Sequence, residues 1–307
     1  MKIFDFEERL AAFVNLLFRR KKSNKLLFLK WTNFKLFILV AGLSFRIASS
    51  QTLPVNGFHV FPSELDAWGF SPNCVVVGVN HHLYFLDSIN KLAVSITPDN
   101  NTHVAELSQD GLYDPVDIVQ YGLSVWILNR MDNKLFEYDL KLNLIRTHEL
   151  QLSYPEKMTV DSNGNIYVIS NQIPGVWKNL QGNKDGFPFI DLELFVDTIS
   201  DIVDMKVSPS HQIALLDEDG RIHIFNRIGK YAASNLPKIS NPSFVFWGKN
   251  GWAFLNNIGE LQTTTGKIIH LNISDEPILD ITIRNNTLFI LTSEGWWNVH
   301  YKLSISN

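Results

Sequence analysis

Six short segments of this 307-residue chain open on, or close to, a residue that could hold a charge or a cation: Asp66, Asp117, Lys157, Asp204, Ser243 and Asp280. Four of the six are acidic. If the fold brings them around one point, their carboxylates could supply the converging oxygens that a hard cation such as calcium requires, with Asp117 and Asp204 the first candidates. Lys157 would neutralise part of such a ring. The competing reading, which the sequence favours, is structural: each aspartate would cap backbone N–H groups of its neighbouring blade, a bond repeated around the ring, since side-chain bonds from Asp to nearby turns are common.

Other chemistry has less to work with. A lone cysteine, Cys74, cannot form an internal disulfide, a thiolate cluster or a Cys-x-x-Cys pair. The nine histidines share no common offset, so the three converging imidazoles of a zinc site cannot be assembled from them, and His223, His270 and His300 read as scattered, solvated side chains on outer strands. No glycine-rich phosphate loop and no G-x-S-x-G turn follows any predicted strand. No catalytic residue is assigned from the sequence.

The elements that must position these residues are short strands bounded by Gly, Asn, Asp or Pro. In Tyr154–Asn171, Lys157–Val160 reads as a strand and Asp161–Gly164 as a tight turn, with Asn165–Ser170 as the returning strand. Asn and Gly suit that turn because they accept positive φ cheaply. The hairpin recurs, starting at DAWGF (Asp66), DIVQ, KMTV, DMKV, SFVF and DITI, at intervals of about 40 to 50 residues, the span of a four-stranded propeller blade. Five repeats can supply a fourth strand, while the sixth runs out of chain after three. The unassigned strand FHVF, Phe58–Phe61, could complete it and remove an exposed sheet edge.

The segment PEKMTVDSNGNIYVIS resembles an NHL-type repeat, and the segments around Asp117 and Asp204 are similar to it. The resemblance spans residues 66–305 and points to the NHL and TolB-like six-bladed propellers. It implies a fold and leaves function open, since that superfamily holds binding scaffolds, lactonases, lyases and quinone-dependent dehydrogenases. Resemblance to the lactonases would imply a calcium site of Glu, Asn and Asp, to which Asp117 and Asp204 could contribute; the accompanying Asn and Glu motifs are not found. Among the aromatics, Trp126, Trp177 and Trp252 are expected to pack between blades. Trp296 and Trp297, adjacent in a strand, must face opposite ways, so one could be exposed and anchor a partner. Trp247 and Trp68, near channel-lining strands, are weaker candidates for the same role.

Charge separates the chain into two parts. Residues 1–50 carry ten Lys/Arg and three Asp/Glu, net +7, whereas residues 51–307 carry seventeen and twenty-eight, net −11. A body this acidic repels nucleic-acid backbones. The leader combines Arg19–Lys22 with an apolar run, Leu36–Phe45, too short to span a membrane, and ends in small residues Ala48 and Ser50 suited to a signal cut before Gln51. The expectation is therefore an all-β, six-bladed propeller of four-stranded blades over residues 51–307, closed by an N-terminal strand and preceded by a signal-like leader over residues 1–50. It would be exported to a periplasmic or extracellular space and monomeric, touching membrane only through an uncleaved leader. Its role would be non-catalytic binding of a protein, peptide or glycan at a channel mouth formed by Asp66, Asp117, Lys157, Asp204 and Asp280, without a cofactor. The alternative is a calcium-dependent hydrolase or lyase using the same acidic mouth.

Overall fold

The computed structural model describes residues 51–300 apart from 54, 179–187, 196, 249–250, 264 and 274, so the signal-like leader lies outside the described residues. The β-type runs fold into six antiparallel meanders, the blades of a six-bladed propeller. Their innermost strands are Cys74–Val77, Pro115–Tyr121, Lys157–Val160, Ile202–Val207, Pro242–Gly248 and Asp280–Arg284, numbered here as blades 1 to 6. Each innermost strand lies against the next, and that of blade 6 lies against that of blade 1, so the ring returns on itself.

Burial follows position in the blade. The second strands Ile166–Ser170, Ile213–Asp217 and Gly251–Asn256 are buried along their whole length, because both faces pack against neighbouring blades. The outermost strand Tyr231–Asn235 is exposed throughout. The apolar side chains gather into six clusters, one at each seam between blades. Fully burying a Val, Leu, Ile or Phe in such a seam is worth about 1.5–3 kcal/mol, and these seams hold the ring together. Trp177 and Trp252 are buried in them, while Trp126 and Trp247 are packed at their margins.

The tight turns are built by Asx side chains. Asp161 Oδ1 accepts from the N–H groups of Asn163 and Asn165, both at 2.9 Å, and Gly164 takes the φ of 82° that closes the turn. Asp139, Asp217, Asn226 and Asn256 each accept in the same manner from backbone N–H groups of the turn that follows them.

Two strands precede the first blade. Val55–Val60 pairs antiparallel with Gly295–His300 as the outermost strand of blade 6. Gln51–Leu53, which sequence reasoning did not anticipate, pairs parallel with Ile269–Leu271 and gives blade 5 a fifth strand.

The first repeat is corrected by the structure. Asp66 opens no strand: Ser63–Trp68 is a 3-10 turn ended by Gly69 at φ 63°. The innermost strand of blade 1 is the next run, CVVV, whose β-branched residues suit a strand packed on both faces, whereas DAW lacks them. Every strand expected in that repeat moves inward by one place, and Thr102–Glu106 becomes the outermost.

Candidate functional site

Register places one residue of each innermost strand at the same height. Cys74, Asp117, Lys157, Asp204, Phe244 and Asp280 pair with Leu86, Leu128, Ile169, Leu216, Leu255 and Leu291 of their second strands. The sequence-derived set is thus brought together in four of its six positions. Cys74 stands where Asp66 was expected, and Asp66 is exposed on the turn outside. On blade 5 the bulge between Pro242 and Phe244 matches those before Asp117 and Asp204, so Phe244 is the equivalent of these aspartates and Ser243 lies one place short, as the bulged residue.

The three aspartates have the same partners. Each accepts through Oδ1 from the N–H of its own successor: Ile118 at 2.9 Å, Met205 at 2.9 Å and Ile281 at 2.8 Å. Each accepts through Oδ2 from the next blade's innermost strand: Asp117 from Met158 N–H at 2.7 Å, Asp204 from Val245 N–H at 2.8 Å and Asp280 from Val75 N–H at 2.7 Å. These carboxylates therefore staple the seams 2–3, 4–5 and 6–1. At seam 1–2 the Cys74 thiol donates to Val116 O at 3.6 Å, a weak bond. At seam 5–6, Phe244 packs against the apolar cluster.

The ring borders an axial cavity of about 250 Å³, lined among others by Asp117, Met158, Lys206, Trp247, Asp280 and Thr282. Lys206 was not singled out in the sequence, although its i, i+2 spacing from Asp204 puts both on one strand face. Its Nζ lies 3.3 Å from Asp204 Oδ1, with 32% of its side chain exposed to the cavity. Three aspartates, two lysines and a thiol thus share the axis.

Their electrostatics are a contest between desolvation and pairing. Burial pushes the Asp117 and Asp280 carboxyls up, against the pull of Lys157 and Lys206, and leaves Asp280 at about 6. Burial alone would lower both lysines, but the surrounding carboxylates outweigh it and hold them above their usual range. Burial, then Asp117 and Asp280, raise the Cys74 thiol, which keeps it protonated.

Asp280 gives a pH dependence. Its folded pKa lies above the unfolded value, so the native state binds more protons between about pH 4 and pH 6. Its contribution to stability is present at low pH and is lost as pH rises through about 6. The loss amounts to at most about 3 kcal/mol. Thermal melts of wild type and Asp280→Asn at pH 5 and pH 7.5 should show a steeper decline in wild type; parallel declines would refute the assignment.

The remaining sequence candidates lie elsewhere. Trp296 is buried in the seam between blades 6 and 1 and Trp297 is half-buried beside the seam of blades 5 and 6, so neither is the exposed anchor expected of the pair. Trp68 is exposed, on the same turn as Asp66, and does not line the axial cavity. His223 is not solvated as expected. It is fully buried between Asp217 Oδ2 at 2.9 Å and Tyr231 Oη at 3.3 Å.

Similar folds occur among solved structures. The chain is similar to virginiamycin B lyase from Staphylococcus aureus (TM-score 0.54, 12% identity, covering 74% of this chain and 80% of that one). It is similar to a gluconolactonase of Xanthomonas campestris (TM-score 0.58, 11% identity, 82% and 97%). It is also similar to YCF48 bound to D1 peptide (TM-score 0.54, 11% identity, 75% and 78%). What the chain shares with them is the β-propeller fold. No family model and no curated protein matches it. The fold thus carries enzymes and a peptide-bound protein alike, and the axial residues must decide between such roles.

Proposed function

We propose that this chain is an exported, monomeric, NHL or TolB-like propeller that binds a protein, peptide or glycan partner without catalysis. The observation that carries this reading is the occupation of the axial carboxylates. Asp117, Asp204 and Asp280 each already accept two backbone N–H bonds that hold blades together. Lys157 and Lys206 sit among them as counter-charges. A calcium ion would have to compete with two ammonium groups for oxygens that the fold already uses. A rigid ring with irregular loops at its ends is suited to binding. A signal cut before Gln51 would spare both Gln51–Leu53 and Val55–Val60, and in this reading the second of these is the N-terminal strand that closes the ring.

The test is thermal unfolding of the full-length protein in chelator and in about 5 mM calcium. The expected result is the same Tm in both. A calcium-dependent rise that vanishes in Asp117→Asn/Asp204→Asn would establish a metal at the axis, since a ligand bound only to the folded state stabilises it. It would overturn the scaffold reading in favour of the metal-dependent hydrolase or lyase.

A further inference from the structure

The two ends of the ring differ among the described residues. At the end where the innermost strands begin, here the aspartate end, blades 1 to 3 alone expose six large apolar side chains on connecting loops: Trp68, Ile89, Tyr113, Met131, Tyr154 and Ile173. Ile89, Met131 and Ile173 hold equivalent places, each in the turn between second and third strands. The far end exposes Val79, Leu123 and Ile228 in its connections. Equivalent turns of adjacent blades thus each present an exposed apolar side chain at the aspartate end, against which a partner's apolar residues could pack.

The neighbouring sector of the aspartate end is acidic. From Asp191 to Asp204 the chain holds five acids and no Lys, Arg or His. Of these Glu193, Asp197 and Asp201 are exposed, and Glu218 and Asp219 join them from the next turn. Between blades 3 and 4 lies a cavity of about 290 Å³, lined by Pro174, Leu192, Ile199, Ser200, Asp201 and Glu218 along with Asn171. Asp201 and Glu218 stand together on its rim, joined by a backbone bond from Glu218 N–H to Asp201 O at 2.9 Å. Ser200 Oγ is buried there with no hydrogen-bond partner. Apolar walls, two acidic side chains among the lining residues and a spare hydroxyl fit a guanidinium or ammonium on an aliphatic stem.

We propose that the aspartate end docks a polypeptide segment bearing Arg or Lys beside apolar residues. The apolar residues would lie on blades 1 to 3 and the cation at the rim of Asp201 and Glu218. This rests on the binding-scaffold reading and names the chemistry of its partner.

The test uses the full-length protein and two fluorescein-labelled 12-residue peptides, one alternating Arg with Leu and Trp, the other with Glu in place of every Arg. Fluorescence anisotropy should show binding of the Arg peptide alone, weakened as salt rises. Asp201→Asn/Glu218→Gln and Met131→Ser/Ile173→Ser should each weaken it at least about tenfold. Circular dichroism melts of both variants check that they remain folded. No binding of the Arg peptide overturns the proposal, as does equal binding of the Glu peptide. Binding that neither double variant weakens overturns the docking face while leaving the scaffold reading intact. Calcium-dependent turnover of a lactone or ester would instead overturn the scaffold reading itself.

Discussion

Replacing Asp117 by alanine should destabilise the fold by about 3–5 kcal/mol, the cost of breaking a buried charge network by deleting one member. The side chain is only 8% exposed. It accepts from Ile118 N–H and Met158 N–H, both in buried surroundings. Alanine leaves these two donors without a partner, at about 1–3 kcal/mol each, and deprives Lys157 and Lys206 of a counter-charge. Asp117→Asn keeps one acceptor oxygen and should lose less than half as much. Urea unfolding of the two variants beside wild type decides the matter; an alanine variant within about 0.5 kcal/mol of wild type would show that the carboxylate is no staple.

The second large effect is expected at the seam between blades 6 and 1. Trp296 stacks on His59 with ring centroids 5.1 Å apart, and meets Phe85 at 5.4 Å and Phe61 at 5.5 Å. Truncation to alanine should cost about 3–5 kcal/mol, as for other large buried aromatics. Trp68→Ala, at a side chain 43% exposed, should stay within about 0.5 kcal/mol of wild type. Denaturant midpoints for the pair give the comparison, and equal losses would mean that burial does not rank these sites.

Much of the ring was legible because its signal is local. DSNG between two apolar runs specifies a hairpin by turn chemistry, and the interval between such hairpins specifies the blade. The corrections fall where the signal was not local. Asp66 matched the acidic start of the other repeats, but the neighbouring CVVV had the stronger claim to a buried strand. Ser243 was matched one place early: it is the bulged residue, as Val116 and Val203 are before Asp117 and Asp204, and a bulge leaves no mark in a strand's apolar pattern. The parallel strand Gln51–Leu53 is three residues long, too short to carry a period. The site was legible as a column of acids. That they cap N–H groups of the neighbouring blade was expected and is what the structure shows; which three seams they join required the neighbouring strands to be in place.

The alternation of those acids sets two kinds of seam apart. By strand count the ring has six equal sectors, but its carboxylate bonds join blades 6 with 1, 2 with 3 and 4 with 5. The other three seams hold the larger apolar clusters instead, so polar and apolar fastening alternate around the ring, and salt or pH would act on one set of seams and denaturant on the other.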